Sequence, residues 1–301
     1  MSENKNIFFF LLFLAMIGWG GSWVNAKVLS DYVGPFELVF IRYALTAFSM
    51  IPILLYLKKS WKIDLKTFVL ILMASILLIA YTKYFFLGTK LGTASLGGAF
   101  VTTLIPIITF LILVIFFKRP VFPKDVFALG IGAIGVMTIL GVWHLDASKI
   151  FTTYNLYFVF AALLWPLLTI VSSKSTKISP LVFTFYMYVC STLFSAFLID
   201  IPSINTTHWD GLFWTHMLFL AFGATTFSTT IYFLGIEKLG AKEVSSFIFL
   251  VPFAAIGLSI LILDEPFNLW MVLGTAMTII AVALLNNLIK IKKRKEKTTQ
   301  S

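Results

Sequence analysis

Charge and cysteine are both scarce in this chain. Of its 301 residues only 12% are charged, about half the share of an ordinary soluble domain. The single cysteine, Cys190, lies in an apolar stretch, so neither a disulfide framework nor a cysteine-based metal site can form within one chain. The three histidines, His144, His208 and His216, are scattered without metal-ligand spacing. No nucleotide-binding motif occurs, which removes direct ATP drive within the chain. Gly130 to Gly135 matches Gly-x-Gly-x-x-Gly, but no strand precedes it and its apolar setting reads as helix packing. No nucleophile, base and orienting acid recur inside the apolar runs, so hydrolytic chemistry has no foothold and no cofactor is implied.

What the chain has in abundance is apolar residues, 59% of the total. A hydrocarbon layer roughly 30 Å thick is crossed by about 20 apolar residues in a helix. Ten runs qualify as candidates: 7–26, 36–57, 67–88, 94–117, 125–143, 152–173, 180–199, 211–236, 244–263 and 268–289. The linkers between them, such as Lys58-Lys59-Ser60-Trp61-Lys62 and Lys118-Arg119-Pro120, are short and basic. Irregular backbone belongs in such linkers, because lipid offers no partner to an unpaired peptide group. The expected class is an all-α integral membrane protein of ten transmembrane helices, with no room for a separate soluble domain.

Eighteen of the 23 Lys and Arg fall on the side of the N-terminus, six of them in the tail from Lys290, and only Lys27, Lys90 and Lys149 fall on the other. The positive-inside rule then puts both termini in the cytoplasm. The net charge of +10 is accounted for by topology, and nucleic acid is not an expected partner. The basic tail can also meet anionic lipid headgroups.

The chain repeats itself. Pro106 and the Phe117-Lys118-Arg119-Pro120 corner match Pro252 and the Leu263-Asp264-Glu265-Pro266 corner, each proline pair being 14 residues apart. Phe86-Leu87-Gly88 with Leu91-Gly92 matches Phe233-Leu234-Gly235 with Leu239-Gly240, and Trp19 before Pro35 matches Trp165 before Pro180. Two five-helix units follow, 1–147 and 148–301. Five is odd, so the second unit enters the membrane inverted, and its matched corner is acidic where the first is basic. Inverted repeats around a midplane site are typical of secondary transporters.

At these residues the sequence resembles the drug/metabolite transporter superfamily, specifically proteins with two EamA-type domains. The resemblance rests on Gly18-Trp19-Gly20-Gly21-Ser22-Trp23, on Pro35-Phe36 with Ile41-Arg42-Tyr43, and on the paired proline segments, and it covers residues 7 to about 289. It implies two inverted repeats around a central cavity, and often efflux of amino acids or related metabolites. The second half departs from the pattern: Trp165-Pro166 stands where Trp-Gly or Trp-Ala is usual, and no arginine follows Pro180 as Arg42 follows Pro35.

The 13 acidic residues lie in loops or near helix ends, leaving Arg42 and Lys83 as the charges well inside candidate spans. An unpaired charge there costs about 2.5–3.5 kcal/mol on insertion scales. At about 1.5 Å per residue both sit roughly 8–9 Å below the outer end. Two readings stand: the cations face a cavity and attract a substrate carboxylate or another anion, or Lys83 snorkels to headgroups while Arg42 pairs with Glu37 as a brace. Glu37 is also a candidate gate or proton acceptor. Thr226, Thr229 and Tyr232 belong to a polar run from Thr225 that either contacts substrate or back-bonds to its own helix. Tyr81 and Tyr84, three apart on one helix face, join Trp19, Trp23 and Trp165 as candidate walls of an apolar pocket or as packing. Pro106 and Pro252 are candidate hinges.

The leading functional reading is a secondary transporter, an exporter of small metabolites such as amino acids, with a carboxylate-bearing one among the candidates, across a bacterial cytoplasmic membrane by alternating access. Its partners are that substrate and the lipid bilayer. A membrane-embedded lipid-handling protein or enzyme acting on an anionic headgroup, and a noncatalytic membrane assembly factor, are the alternatives.

Overall fold

Proline and capping side chains set where the helices start. Pro35, Pro123 and Pro180 occupy first-turn positions, where the missing N–H has no intrahelical acceptor to lose. Asp64, Thr93, Thr152, Asp210 and Asn268 each accept a hydrogen bond from a backbone N–H of the first turn that follows them. The computed structural model describes residues 2–144, 150–199, 206–240, 244, 247–286 and 288. Among these residues there are ten helices and no strand. They are α1 (Ser2–Leu29), α2 (Pro35–Tyr56), α3 (Leu65–Leu91), α4 (Ala94–Phe117), α5 (Pro123–Ile139), α6 (Thr153–Ser173), α7 (Pro180–Ala196), α8 (Gly211–Leu239), α9 (Leu250–Leu263) and α10 (Leu269–Leu285). Lys149, Lys242 and the basic tail Lys290 to Lys297 lie outside the described residues, as does the side chain of His144.

Six helices, α1, α2, α3, α4, α6 and α8, are long and apolar enough to cross a membrane. The others are shorter than the expected runs. The run expected to reach residue 143 ends as α5 at Ile139 and continues into a separate 3₁₀ turn, Val142–His144. That expected over 244–263 is continuous only from Leu250, and that over 268–289 ends at Leu285. α1 and α3 are instead longer than expected. The largest difference lies inside α8, whose middle, Phe219–Phe227, is π-helical.

The helices pack in a definite set of pairs. α5 lies along α10, α2 along α7, α4 along α9, α3 along α6, and α1 along both α8 and α9. Small residues bring several of these pairs to backbone distance. A Cβ on Gly135 would stand 2.8 Å from the Gly274 carbonyl, and one on Gly274 would stand 2.6 Å from that of Gly135. The glycine motif of α5 is thus a helix crossing, in keeping with the packing role of small residues in membranes. Gly97 and Gly98 make room for Trp23, which meets Phe85 edge-on at 4.4 Å in the largest buried cluster.

Matched corners end α4 and α9. Lys118 and Asp264 both take the left-handed conformation, with φ of 54° and 53°. The following amides, of Arg119 and Glu265, reach back six residues to the carbonyls of Leu113 and Ser259 at 3.1 and 3.3 Å. This closes the last turn as a Schellman-type cap. The charges beside the caps then satisfy distant helix ends. Glu265 accepts the Ala94 and Ser95 amides at 2.7 and 3.0 Å at the N-terminus of α4. Arg119 donates to the Leu285 carbonyl at 3.3 Å at the C-terminus of α10. Each sign matches the dipole of the end it meets.

Candidate functional site

One polar seam joins α2 to the π-helical part of α8. Arg42, Thr46 and Ser49 lie at i, i+4 and i+7 on α2, hence on one face. The Arg42 Nε donates to Thr225 Oγ1 at 3.0 Å, Thr46 Oγ1 donates to the Ala221 carbonyl at 3.2 Å, and the hydroxyls of Ser49 and Thr226 share a hydrogen bond at 2.6 Å. On α8, Thr225, Thr226 and Ser228 donate back five residues, to the carbonyls of Leu220, Ala221 and Gly223. Five residues is the π spacing, and π turns concentrate at functional positions. The back-bonding reading of this polar run therefore holds for these three side chains. Two of them serve α2 at the same time.

Tyrosines surround the guanidinium. It lies 5.4 Å from the centroid of the Tyr43 ring, within cation–π range. Tyr43 stacks on Tyr188 of α7 at 4.9 Å, and its hydroxyl meets that of Thr82 on α3 at 2.7 Å. Thr229 of α8 lies beside the Tyr188 hydroxyl. Four helices thus converge on Arg42, which is half-buried, and Tyr81 of α3 lies within its electrostatic reach. Among the described residues Thr225 is the hydrogen-bond partner of Arg42, and both Nη groups lack a protein acceptor.

The other expected residues fall into distinct places. Tyr81 meets Trp165 of α6 at 4.6 Å, and Tyr84 meets Tyr157 and Phe160 of the same helix at 5.8 and 5.1 Å. Trp19 of α1 meets Tyr232 of α8 at 5.1 Å. The two tryptophans therefore sit in separate aromatic pairs. Trp23 is buried in the core. Glu37 does not pair with Arg42; its carboxylate folds back over Gly34 at the N-terminus of α2, filling the space a Cβ would take there. Lys83 and Arg42 do not share a site: Lys83 Nζ lies over Phe36 at 5.4 Å and Tyr84 at 6.0 Å, in a groove on the flank of α3. Pro106 stands inside α4, whereas Pro252 falls in the first turn of α9, where its missing N–H costs no intrahelical bond and makes no hinge; the two helices pack against each other.

The helix ends on either side of this seam differ. At the end bearing the α2–α3 linker, Lys59 meets Glu237 at 3.0 Å and Lys177 meets Asp64 at 2.7 Å, while Tyr186 donates to the Trp61 carbonyl at 2.9 Å. The Lys177 ammonium, with the Thr67 hydroxyl and amide, holds the Asp64 carboxyl well below the usual range, and the same contact raises Lys177. At the opposite end a cavity of about 590 Å³ opens between α1, α8 and the corners at Thr93 and Glu265. Lys27, Asp31, Tyr32 and His208 also line it. Lys27 is tied to the carbonyls of Lys90 and Gly92 at 2.9 and 2.7 Å, and Tyr32 donates to Asp210 at 3.2 Å. Capping of the Phe213 amide, more than the Tyr32 hydroxyl, keeps the Asp210 carboxyl low. Among the described residues no three His, Cys, Asp or Glu side chains gather as a metal site would need.

Sequence reasoning missed Tyr43, Thr46, Ser49, Thr82 and Tyr188 as members of the seam. The polar stripe at i, i+4 and i+7 from Arg42 was the signal that could have found two of them. It also missed the pair of Asn25 and His216, whose Oδ1 and Nδ1 lie 2.7 Å apart between α1 and α8. The Asn25 amide donates to the Gly21 carbonyl, so the imidazole is the donor in that pair.

Comparison with known proteins agrees with this architecture. The sequence matches the EamA-like transporter family twice, over residues 6–141 and 152–287. It is 24% identical over 303 residues to the uncharacterized transporter YyaM of Bacillus subtilis (strain 168), a match covering 97% of each chain. A solved crystal structure 16% identical in sequence superposes with a TM-score of 0.66 over 94% of this chain and 98% of its own, a likeness of fold.

Proposed function

The chain belongs to the EamA-like transporter family, a multi-pass membrane transporter of a small molecule rather than an enzyme, and from that premise we propose that it is a secondary exporter of carboxylate-bearing metabolites, amino acids among them. In this reading the units 1–147 and 148–301 are inverted five-helix repeats that alternate access across a bacterial cytoplasmic membrane, with both termini inside. The helix pairs support it. α2–α7, α4–α9 and α5–α10 each join a helix to the one five later, and α3–α6 exchanges with α1–α8 under the same operation, as a two-fold axis requires. The matched left-handed corners at Lys118 and Asp264 agree.

The observation that carries the substrate class is Arg42. Its guanidinium stands between the second helix of one unit and helices of the other, with Nε engaged by Thr225 and both Nη groups unclaimed by protein among the described residues. A planar fork with two free donors fits a carboxylate bidentately. Tyr43, Tyr81 and Tyr188 give it a partly apolar surround that strengthens such a contact. In this reading Thr226 and Thr229 extend the polar seam, Trp165 backs it through Tyr81, Pro106 is a bending point within α4, and Glu37 has the role of a helix-terminal carboxylate.

The test compares metabolites in the medium of cells overexpressing the protein with cells expressing Arg42→Ala at equal membrane yield. Accumulation of an amino acid or organic acid outside wild-type cells alone is the expected result. Equal accumulation with Arg42→Ala would remove the arginine from the site, and accumulation of cationic compounds alone would overturn the substrate class.

A further inference from the structure

The flank of the molecule carries a second cation in a setting unlike that of Arg42. A groove of about 340 Å³ runs between the N-terminus of α2, the second half of α3 and the last turn of α7. Phe36 and Leu198 mark its shallow end, and Ile79 and Ile76 its deep end, since they lie progressively further from the end of α3 at Leu91. Lys83 stands at the shallow end, about 12 Å along the helix from Leu91. Besides the Tyr84 hydroxyl it is the polar group among side chains that are otherwise aliphatic or aromatic. Among the described residues it makes no hydrogen bond and no ion pair; its ammonium rests over the rings of Phe36 and Tyr84.

Two rings do not replace hydration for an ammonium held among apolar side chains. The charge calls for an anion, and the floor beneath it calls for a hydrocarbon. The floor is also open to the side: Ile76 is 60% exposed and Met73, one turn deeper on α3, is 48% exposed. That apolar row extends the groove along the face of α3 that a bilayer would contact.

We infer that this groove is a binding site for an anionic phospholipid, with the phosphate on Lys83 and one acyl chain along Ile79 and Ile76. A free phosphate would satisfy the lysine and leave the floor empty, whereas a zwitterionic lipid would bring its own cation to the ammonium. The volume lies in the usual range for small-ligand sites. The site is separate from the seam around Arg42 and serves a ligand other than the transported one.

The full-length protein is placed in phosphatidylcholine nanodiscs doped with phosphatidylglycerol, and lipids retained on release are counted by native mass spectrometry. One phosphatidylglycerol is expected on wild type and on Lys83→Arg, with retention about tenfold lower in Lys83→Gln, as loss of one charge-assisted contact predicts. Leu198→Trp, which fills the groove and leaves the lysine, lowers retention as well and stands in if Lys83→Gln is poorly folded. Equal retention in both variants overturns the inference. So does equal retention of phosphatidylcholine, or displacement of the lipid by inorganic phosphate alone. Arg42→Ala retains the lipid whatever becomes of transport.

Discussion

Arg42 and Thr225 are 183 positions apart in sequence and 3.0 Å apart in space. The threonine accepts from the guanidinium while its own proton goes to the Leu220 carbonyl. The π spacing of α8 thus decides where the hydroxyl oxygen points, and with it the orientation of the arginine. Arg42→Lys should fail almost as fully as Arg42→Ala, because an ammonium cannot offer both the Nε contact and a planar fork. Metabolite efflux should fall at least about tenfold in each, as loss of a charge-assisted pair implies, with membrane yield retained. Full activity of the lysine variant would show that charge alone suffices.

Glu265, in the corner that ends α9, closes the N-terminus of the neighbouring α4. Glu265→Ala should lower the thermal midpoint in detergent by the equivalent of about 1–2 kcal/mol, the scale of a lost N-terminal cap with its dipole contribution. Glu265→Gln, which keeps one acceptor, should recover about half. An unchanged midpoint in Glu265→Ala would mean that water replaces the carboxylate without loss.

The pair of Asp64 and Lys177 sets a pH expectation whose sign follows from the two shifts. The carboxyl is held below its ordinary 3.8, so its contribution is present above that value and fades as pH falls through the lowered one. The ammonium is raised above 10.5, so its contribution is present below that value and fades only as pH rises through the raised one. The difference in thermal midpoint between wild type and Lys177→Ala should therefore be flat from about pH 5 to 9 and shrink in stronger acid. It should also shrink with added salt, since both groups are solvent-accessible. A difference that peaks near neutral pH would point to another titrating group.

Gly135 and Gly130 belong to one motif and predict opposite outcomes. A Cβ on Gly135 would meet the Gly274 carbonyl and Thr278, whereas one on Gly130 would meet nothing within 4 Å. Gly135→Ala should destabilise by about 1–3 kcal/mol through overpacking. Gly130→Ala should be neutral or stabilise by up to about 1 kcal/mol from helix propensity. Thermal unfolding of the two variants side by side decides it, and equal midpoints would deny the close crossing.

The membrane class, the approximate positions of all ten helices, the matched corners and the placement of Arg42 well inside a helix were legible because each rests on local composition or on spacing within one helix. What was not legible depends on partners far apart in sequence. Glu265 and Arg119 looked like topological charges until the helix ends that they satisfy came into view. Lys83 and Arg42 looked like a pair because they lie at similar distances from their helix ends, yet the azimuths of α2 and α3 turn one inward and the other to the flank. The π stretch had no sequence signature either: Phe219–Phe227 carries no proline, and its hydroxyls serve equally well in α or π spacing.

Gly135 lies in the first stretch matched to the family and Gly274 in the second, with backbone against backbone. Thr278 and Ile139 flank the contact, and no rotamer change in them would part the two backbones. In the proposed alternating-access cycle this crossing would be the fulcrum: a cross-link placed across it should leave the cycle turning, while one across Arg42 and Thr225 should stop it.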